Sequence, residues 1–126
     1  MTPASVKAAT DAANVRARAL YAADEAARNA EADVKRRHGA LIDAAWALRA
    51  TPREGSAAVV KAIEAIDDAK ERAAELLRAG KWGGTHRSKF SGAEAERMNA
   101  EGGALAGAIP AMIERAERLL HGLGSA

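Results

Sequence analysis

The chain has 126 residues, of which 35 are alanine and 3% are aromatic, so its large apolar side chains are too few for a thick spherical core. The absence of cysteine excludes disulfides and thiolate metal sites, and no apolar run reaches the roughly 18 residues of a membrane-spanning helix. The net charge of +2 gives only a mild preference for an acidic partner. Since alanine is the strongest helix former, the composition predicts an all-α, extended helical bundle in one domain, residues 1–126.

A long first helix is predicted from residue 3 to residue 50, because Gly39 is the only turn signal before Pro52. Gly39 is therefore the predicted position of a kink. Every seventh residue from Val6 is apolar, which is typical of a helix that packs against another helix. The stripe comprises Val6, Ala13, Leu20, Ala27, Val34, Leu41 and Leu48, and ion pairs four residues apart are predicted for Asp24–Arg28, Glu31–Lys35 and Asp33–Arg37.

A second helix is predicted for residues 56–79, with Ser56 as its N-cap and Gly80 as the residue that stops it. Lys70 interrupts its apolar face, and the opposite side is acidic. The apolar face comprises Val59, Val60, Ile63, Ile66, Ala73, Leu76 and Leu77.

A third helix is predicted for residues 91–121, because Ser91 and Glu94 have the spacing of a capping box. Pro110 is expected to kink it. Gly102, Gly103 and Gly107 lie at or near its apolar seam, where another helix would approach closely. The seam comprises Met98, Gly102, Leu105, Ile109, Met112, Ala116 and Leu119, and the predicted core of the bundle is Leu41, Leu48, Ile63, Ile66, Leu105, Ile109 and Met112.

The first helix is longer than the other two can cover, so residues 1–26 are predicted to form a protruding arm for oligomerisation. Either Gly39 is a turn that folds the arm back into a four-helix bundle, or another chain covers it, since isolated helices are marginal in water. We favour the second, because the heptad phase continues through Gly39. The prediction is a homo-oligomer, with a dimer as the first expectation, held by Val6, Ala13, Leu20 and Ala27.

Residues with catalytic or metal-binding chemistry are scattered. His38, His86 and His121 fall in three different elements, and no Glu-x-x-His, His-Glu-x-x-His, Gly-x-Ser-x-Gly or phosphate-loop motif occurs. We therefore expect no enzymatic activity, no metal site and no cofactor.

The connector between the second and third helices, residues 80–90, has the sequence GKWGGTHRSKF and is unlike the rest of the chain. Its aromatic and basic residues favour one of three roles: a plug of the bundle end with a partly exposed Trp edge, an anchor for a protein partner, or a site for phosphate or nucleic acid. We favour the plug, and so expect first a turn and second a site. The candidate partner-binding residues are Lys81, Trp82, Arg87, Lys89 and Phe90.

Trp82-Gly83-Gly84, with Phe90 eight residues after the Trp, resembles the Trp-x-Gly turn of the WXG100 small secreted helical hairpins. The resemblance implies two long antiparallel helices that flank the Trp, and a dimer. The chain differs from that family in its additional first helix and in the C-terminal HGLGSA, which lacks the Tyr-x-x-x-Asp/Glu signal.

The function that the sequence favours is stoichiometric binding of a macromolecular partner, most simply a protein, by a non-enzymatic helical protein. An adaptor, an assembly factor or an inhibitor fits this description, including a phage-encoded antagonist of a host complex. The alternatives are nucleic-acid or phosphorylated-ligand binding through residues 81–90, and a WXG100-like secreted hairpin. We expect a cytoplasmic protein, since no signal peptide is apparent.

Overall fold

The computed structural model describes residues 2–124, which form three α-helices and no strand. Helix α1 spans Pro3–Ala50, α2 spans Ser56–Gly80 and α3 spans Gly92–Gly122. The all-α fold is confirmed, and each predicted helix boundary is correct to within one residue. Helix α1 continues through Gly39, so the chain forms no turn at that glycine. Helix α3 likewise continues through Pro110.

The chain divides into two compact units, Met1–Arg36 and Arg37–Ala126. The first unit contains the N-terminal part of α1, in which every residue from Thr2 to Ala32 is exposed. The second unit contains the remainder of α1 together with α2 and α3. Within residues 2–124, no helix is both long enough and apolar enough to cross a membrane.

The second unit is an antiparallel three-helix arrangement. Arg49 at the end of α1 donates to Glu64 of α2 at 3.0 Å, and Gly102 of α3 lies against Leu76 and Leu77 of α2. The buried apolar side chains come from all three helices, and Ile63, Ile66, Ile113 and Val59 are the largest that are fully enclosed. The others are Leu41, Ala45, Leu48, Ala69, Ala73, Leu76, Ala95, Ile109 and Ala116.

The predicted seam of α3 is confirmed at Gly102, Ile109 and Ala116 and wrong at Met112 and Leu119, and the predicted core residue Leu105 is only half-buried. Ile113 and Ala116 are buried after Ile109, whereas Met112 is only half-buried and Leu119 is exposed. The buried positions therefore advance by four residues from Ile109, where a strict heptad advances by three. On α2, Leu77 is exposed and Val60 is half-buried, so the buried stripe is narrower than predicted.

The two predicted helix starts differ in their outcome. At α3 the capping box is confirmed, since Ser91 Oγ accepts from the Glu94 N–H and Glu94 Oε1 accepts from the Ser91 N–H, both at 3.2 Å. Hydrogen bonding of the Glu94 carboxylate to the side chain of Ser91 and to its backbone N–H holds the pKa of Glu94 below its usual range. At α2 the N-cap is Gly55, with φ +81°, and Ser56 is not the cap. Ser56 is instead buried, and its hydroxyl exchanges two hydrogen bonds with the backbone of Arg53.

Arg37 and Glu117 join α1 to α3 through a two-pronged ion pair, in which Arg37 Nε donates to Glu117 Oε2 at 2.9 Å and Arg37 Nη2 contacts Glu117 Oε1. Hydrogen bonding to the guanidinium lowers the pKa of Glu117, because it favours the charged carboxylate. Both side chains are about one-third exposed, so water screens much of the attraction.

Replacing Glu117 with Gln is expected to reduce the free energy of unfolding at pH 7 by about 0.2–1 kcal/mol, the range of partly exposed pairs. The native-state pKa lies below the unfolded one, so this contribution is complete above pH 4.5 and is lost as the pH falls through the native-state pKa. Urea titrations of the parent and Glu117→Gln should therefore converge in acid. Glu114→Gln is the control, since its pair with Arg118 is long, at 3.8 Å, and exposed. A difference that does not change with pH would contradict this account.

Candidate functional site

The connector between α2 and α3 is a hydrogen-bonded turn. Gly84 has φ +77°, a left-handed conformation that favours glycine, and its N–H donates to the Phe90 carbonyl at 2.9 Å. The Thr85 hydroxyl and N–H both donate to the Trp82 carbonyl. These bonds close residues 84–90 into a loop. The connector is therefore an ordered, hydrogen-bonded turn, as the sequence predicts.

Two glycines allow the turn to lie directly on α3. A Cβ at Gly83 would collide with the Cβ of Ala95, and a Cβ at Gly80 would collide with the side chain of Asn99. Asn99 Nδ2 in turn donates to the Gly80 carbonyl at 3.4 Å. A glycine that stops a helix commonly has a positive φ, but the positive-φ glycines among the described residues are Gly55, Gly84 and Gly124. Gly80 is the last residue of α2, and its role is close approach.

Trp82 is the centre of the site. Its side chain is 44% exposed, and two cations lie over its ring: Lys81 Nζ at 5.3 Å and Arg87 Cζ at 5.2 Å from the ring centroid. Lys89 Nζ lies over Phe90 in the same way, at 5.5 Å. The structure thus brings all five predicted partner-binding residues into two adjacent cation–π groups.

A shallow groove of about 410 Å³ runs between these groups. Arg78 and Ala79 at the end of α2 form one wall, and Trp82, Arg87, Ser88, Lys89 and Phe90 form the rest. Sequence reasoning missed Arg78, because it belongs to the helix and not to the connector. We call Arg78, Lys81, Trp82, Arg87, Lys89 and Phe90 together the connector cluster.

The cations of the connector cluster have no acidic partner among the described residues. Among residues 2–124, no carboxylate lies within 4 Å of the cationic groups of Arg78, Lys81, Arg87 or Lys89. Glu94, the acidic residue of the adjacent cap, is engaged with Ser91. Three like charges, those of Arg78, Arg87 and Lys89, line one groove and repel each other, so an anionic group that entered it would be stabilised by all three.

A second Trp–Arg cation–π contact occurs in the chain, and there the charge of the arginine is neutralised by a carboxylate. Trp46 of α1 is 67% exposed and has Arg49 Cζ at 5.6 Å from its ring centroid. Arg49, however, is paired with Glu64 at 3.0 Å. The chain therefore contains two exposed tryptophans in similar cation–π contacts, and only the Trp82 group retains free positive charge.

Sequence reasoning also missed a buried polar group between α1 and α2. His38 is buried, with Lys70 Nζ 3.3 Å from its Nδ1 and Asp67 Oδ1 2.7 Å from its Nε2. The Asp67 contact is close but misaligned, so Nε2 makes no hydrogen bond. The signal was present in Lys70, which interrupts the apolar face of α2. Because ammonium groups only donate, Nδ1 must accept, and the group ties α1 to α2.

The predicted oligomerisation residues Val6, Ala13, Leu20 and Ala27 are all exposed on α1, as are Val15 and Tyr21. Their pairing with another chain stays a prediction. Within residues 2–124, no group of three or more His, Cys, Asp or Glu residues has the arrangement of a metal site.

Comparison with known proteins adds no family to this description. A scan against protein-family models found no match, and neither the curated proteins nor the solved structures contain a match to this chain. The resemblance to the WXG100 turn therefore depends on the connector residues alone.

Proposed function

We propose that the chain is a non-enzymatic binding protein that recognises the acidic surface of a protein partner through the connector cluster. The observation that carries the proposal is the half-exposed ring of Trp82, which has Lys81 and Arg87 over it and lines a groove with Arg78 and Lys89. None of these four cations has an acidic partner within 4 Å among the described residues. Trp and Arg are the residues that most often anchor protein interfaces, since they combine large contact area with directional hydrogen bonds. An adaptor, an assembly factor and an inhibitor, including a phage-encoded one, would all use such a surface.

The chemistry of the cluster favours binding. Guanidinium, ammonium and aromatic groups recognise charge and surface, and their cation–π contacts hold them in place before a partner arrives. A preorganised site loses less conformational entropy when it binds. The groove of about 410 Å³ is large enough for one or two acidic side chains that would pair with Arg78, Arg87 or Lys89.

A protein partner is favoured over nucleic acid because the aromatic rings of the connector cluster are already in contact with cations. Base stacking needs an open aromatic face, and the rings of Trp82 and Phe90 already have cations over them. Nucleic acid or a phosphorylated ligand remains the second candidate, because the four unpaired cations would also attract phosphate.

The test compares four forms of the full chain. Partners are captured from the cytoplasm of the source cell on immobilised parent protein, and their affinities are then measured for Trp82→Ala, for the triple variant Lys81→Gln, Arg87→Gln and Lys89→Gln, and for Trp46→Ala. Trp82→Ala is expected to lose about 2 kcal/mol or more of affinity while it melts like the parent. Trp46→Ala is the matched control and should bind as the parent does.

Each alternative gives a different result. If Trp82 is mainly a plug, Trp82→Ala will lower the melting temperature, and affinity will fall only in proportion. A phosphate site would show binding of labelled oligonucleotides or inorganic phosphate that weakens steeply with salt and disappears in the triple variant. A partner that binds the parent, Trp82→Ala and the triple variant equally would rule out the connector cluster as its binding site.

A further inference from the structure

The N-terminal part of α1 carries an ordered separation of charge that the bundle does not use. Residues 7–18 contain three cations and one acid, Lys7, Asp11, Arg16 and Arg18, for a net charge of +2. Residues 24–31 contain three acids and one cation, Asp24, Glu25, Arg28 and Glu31, for a net charge of −2. The segment between them, residues 19–23, is uncharged and contains Leu20 and Tyr21, two of the most exposed large apolar side chains of the chain.

These charges have no partner within the helix. The predicted pairs Asp24–Arg28 and Glu31–Lys35 are not formed within 4 Å, and no other charged group from residue 7 to residue 31 has an ion pair in the described structure. Every residue of this segment is exposed. A long helix with an exposed apolar stripe and two oppositely charged halves is complementary in charge to an identical helix that runs in the opposite direction.

We propose that residues 7–31 of α1 pair antiparallel with the same segment of a second copy of the chain, about a two-fold axis near Leu20. In this arrangement the positive half of each copy lies beside the negative half of the other. Both charge contacts form at once, because an isologous interface repeats every contact. A parallel pair would instead place +2 beside +2 and −2 beside −2, which is destabilising.

The apolar stripe is also compatible with a two-fold axis near Leu20. When Leu20 of one copy is level with Leu20 of the other, Ala13 is level with Ala27, so alanine faces alanine on either side of the axis. Small side chains at these positions allow the two helices to approach closely. Arg16 lies three residues after Ala13, on the same face of the helix, and would face a second Arg16 in a parallel pair. In the antiparallel pair it is level with Asp24. Exposed charge pairs are individually weak, so the charges set the orientation and the apolar stripe supplies most of the affinity.

The inference concerns α1 alone and is independent of the connector cluster. Sedimentation velocity and light scattering of the full chain at micromolar concentration are expected to show a dimer that dissociates on dilution and weakens as salt rises. Reversing one half, with Arg16→Glu and Arg18→Glu, changes that half from +2 to −2. This should weaken dimerisation about tenfold or more, since both ends of the interface then repel. A parallel dimer would be unaffected by this change, because one repulsive pair of halves would replace another.

Rescue makes the result specific. Asp24→Lys with Glu25→Lys should weaken self-association in the same way, and an equimolar mixture of the two variants should form a heterodimer at least as strong as the parent dimer. Circular dichroism of each variant confirms that helix content is retained. Arg72→Glu with Arg118→Glu, at exposed positions of α2 and α3, is the control and should leave dimerisation unchanged. A monomer at all concentrations, a dimer that salt strengthens, or a mixture that fails to recover would overturn the proposal.

Discussion

Replacing Ile113 with Ala is expected to lower the free energy of unfolding by about 2–5 kcal/mol, the cost of removing a large apolar side chain from a core. Ile113 is 0% exposed and is one of four large side chains that the second unit encloses completely. The substitution removes buried apolar surface and leaves a cavity that the helices refill only in part. Total stability of a small domain is about 5–15 kcal/mol, so this change should shift urea and thermal denaturation clearly.

The neighbouring residue provides the control. Met112 is only half-buried, so Met112→Ala should cost less than half as much as Ile113→Ala. Ile63→Ala, at a position that is 1% exposed on α2, should resemble Ile113→Ala. If Met112→Ala were the more damaging change, the seam of α3 would follow the strict heptad, and the buried face described above would be incorrect.

The helix boundaries could be predicted from sequence because local chemistry sets them. Pro52 cannot extend α1 in regular hydrogen bonding, Gly55 adopts a left-handed conformation, and Ser91 with Glu94 closes a cap by itself. None of these signals depends on what the helix packs against. Short-range residues therefore gave boundaries correct to within one position.

The buried face of α3 could not be predicted in the same way. An α-helix has 3.6 residues per turn, so a heptad stripe drifts around it unless the helices supercoil. The drift in α3 is taken up by the four-residue step from Ile109 to Ile113. In a chain so rich in alanine, the neighbouring positions offer little contrast in hydrophobicity, and Met112 and Ile113 are equally plausible from sequence.

The part of the candidate site that lies in one short segment could be predicted from sequence, whereas contacts between residues distant in sequence could not. Lys81, Trp82, Arg87, Lys89 and Phe90 share one connector, so a closed turn necessarily brings them together. Arg78 on α2 and the contact of Lys70 with His38 depend on how helices pack. The sequence signal for the Lys70–His38 contact is a lysine on an otherwise apolar helix face, and this signal does not identify the residue that the lysine contacts.

Glycine at position 83 determines where the connector lies, and its replacement gives the second large effect. Gly83 has no positive φ, so alanine is compatible with its backbone conformation. The obstacle is steric, because a Cβ there would overlap the buried Ala95 Cβ and lie 3.3 Å from the Ala95 Cα. Neither atom belongs to a flexible side-chain end, so the connector and α3 must separate to make room.

Gly83→Ala is therefore expected to destabilise the second unit by about 1–3 kcal/mol, the usual cost of overpacking, measured by urea denaturation. Gly103→Ala is the matched control: Gly103 lies within α3 with nothing within 4 Å of its added Cβ, so alanine should stabilise by about 0.5–1 kcal/mol through helix propensity. The two substitutions add the same methyl group and should have opposite signs. If the connector does not rest on α3, Gly83→Ala will also be neutral or stabilising, because it then only restricts the unfolded chain. That result would contradict the inference that packing of the connector on α3 holds Trp82 beside Lys81 and Arg87.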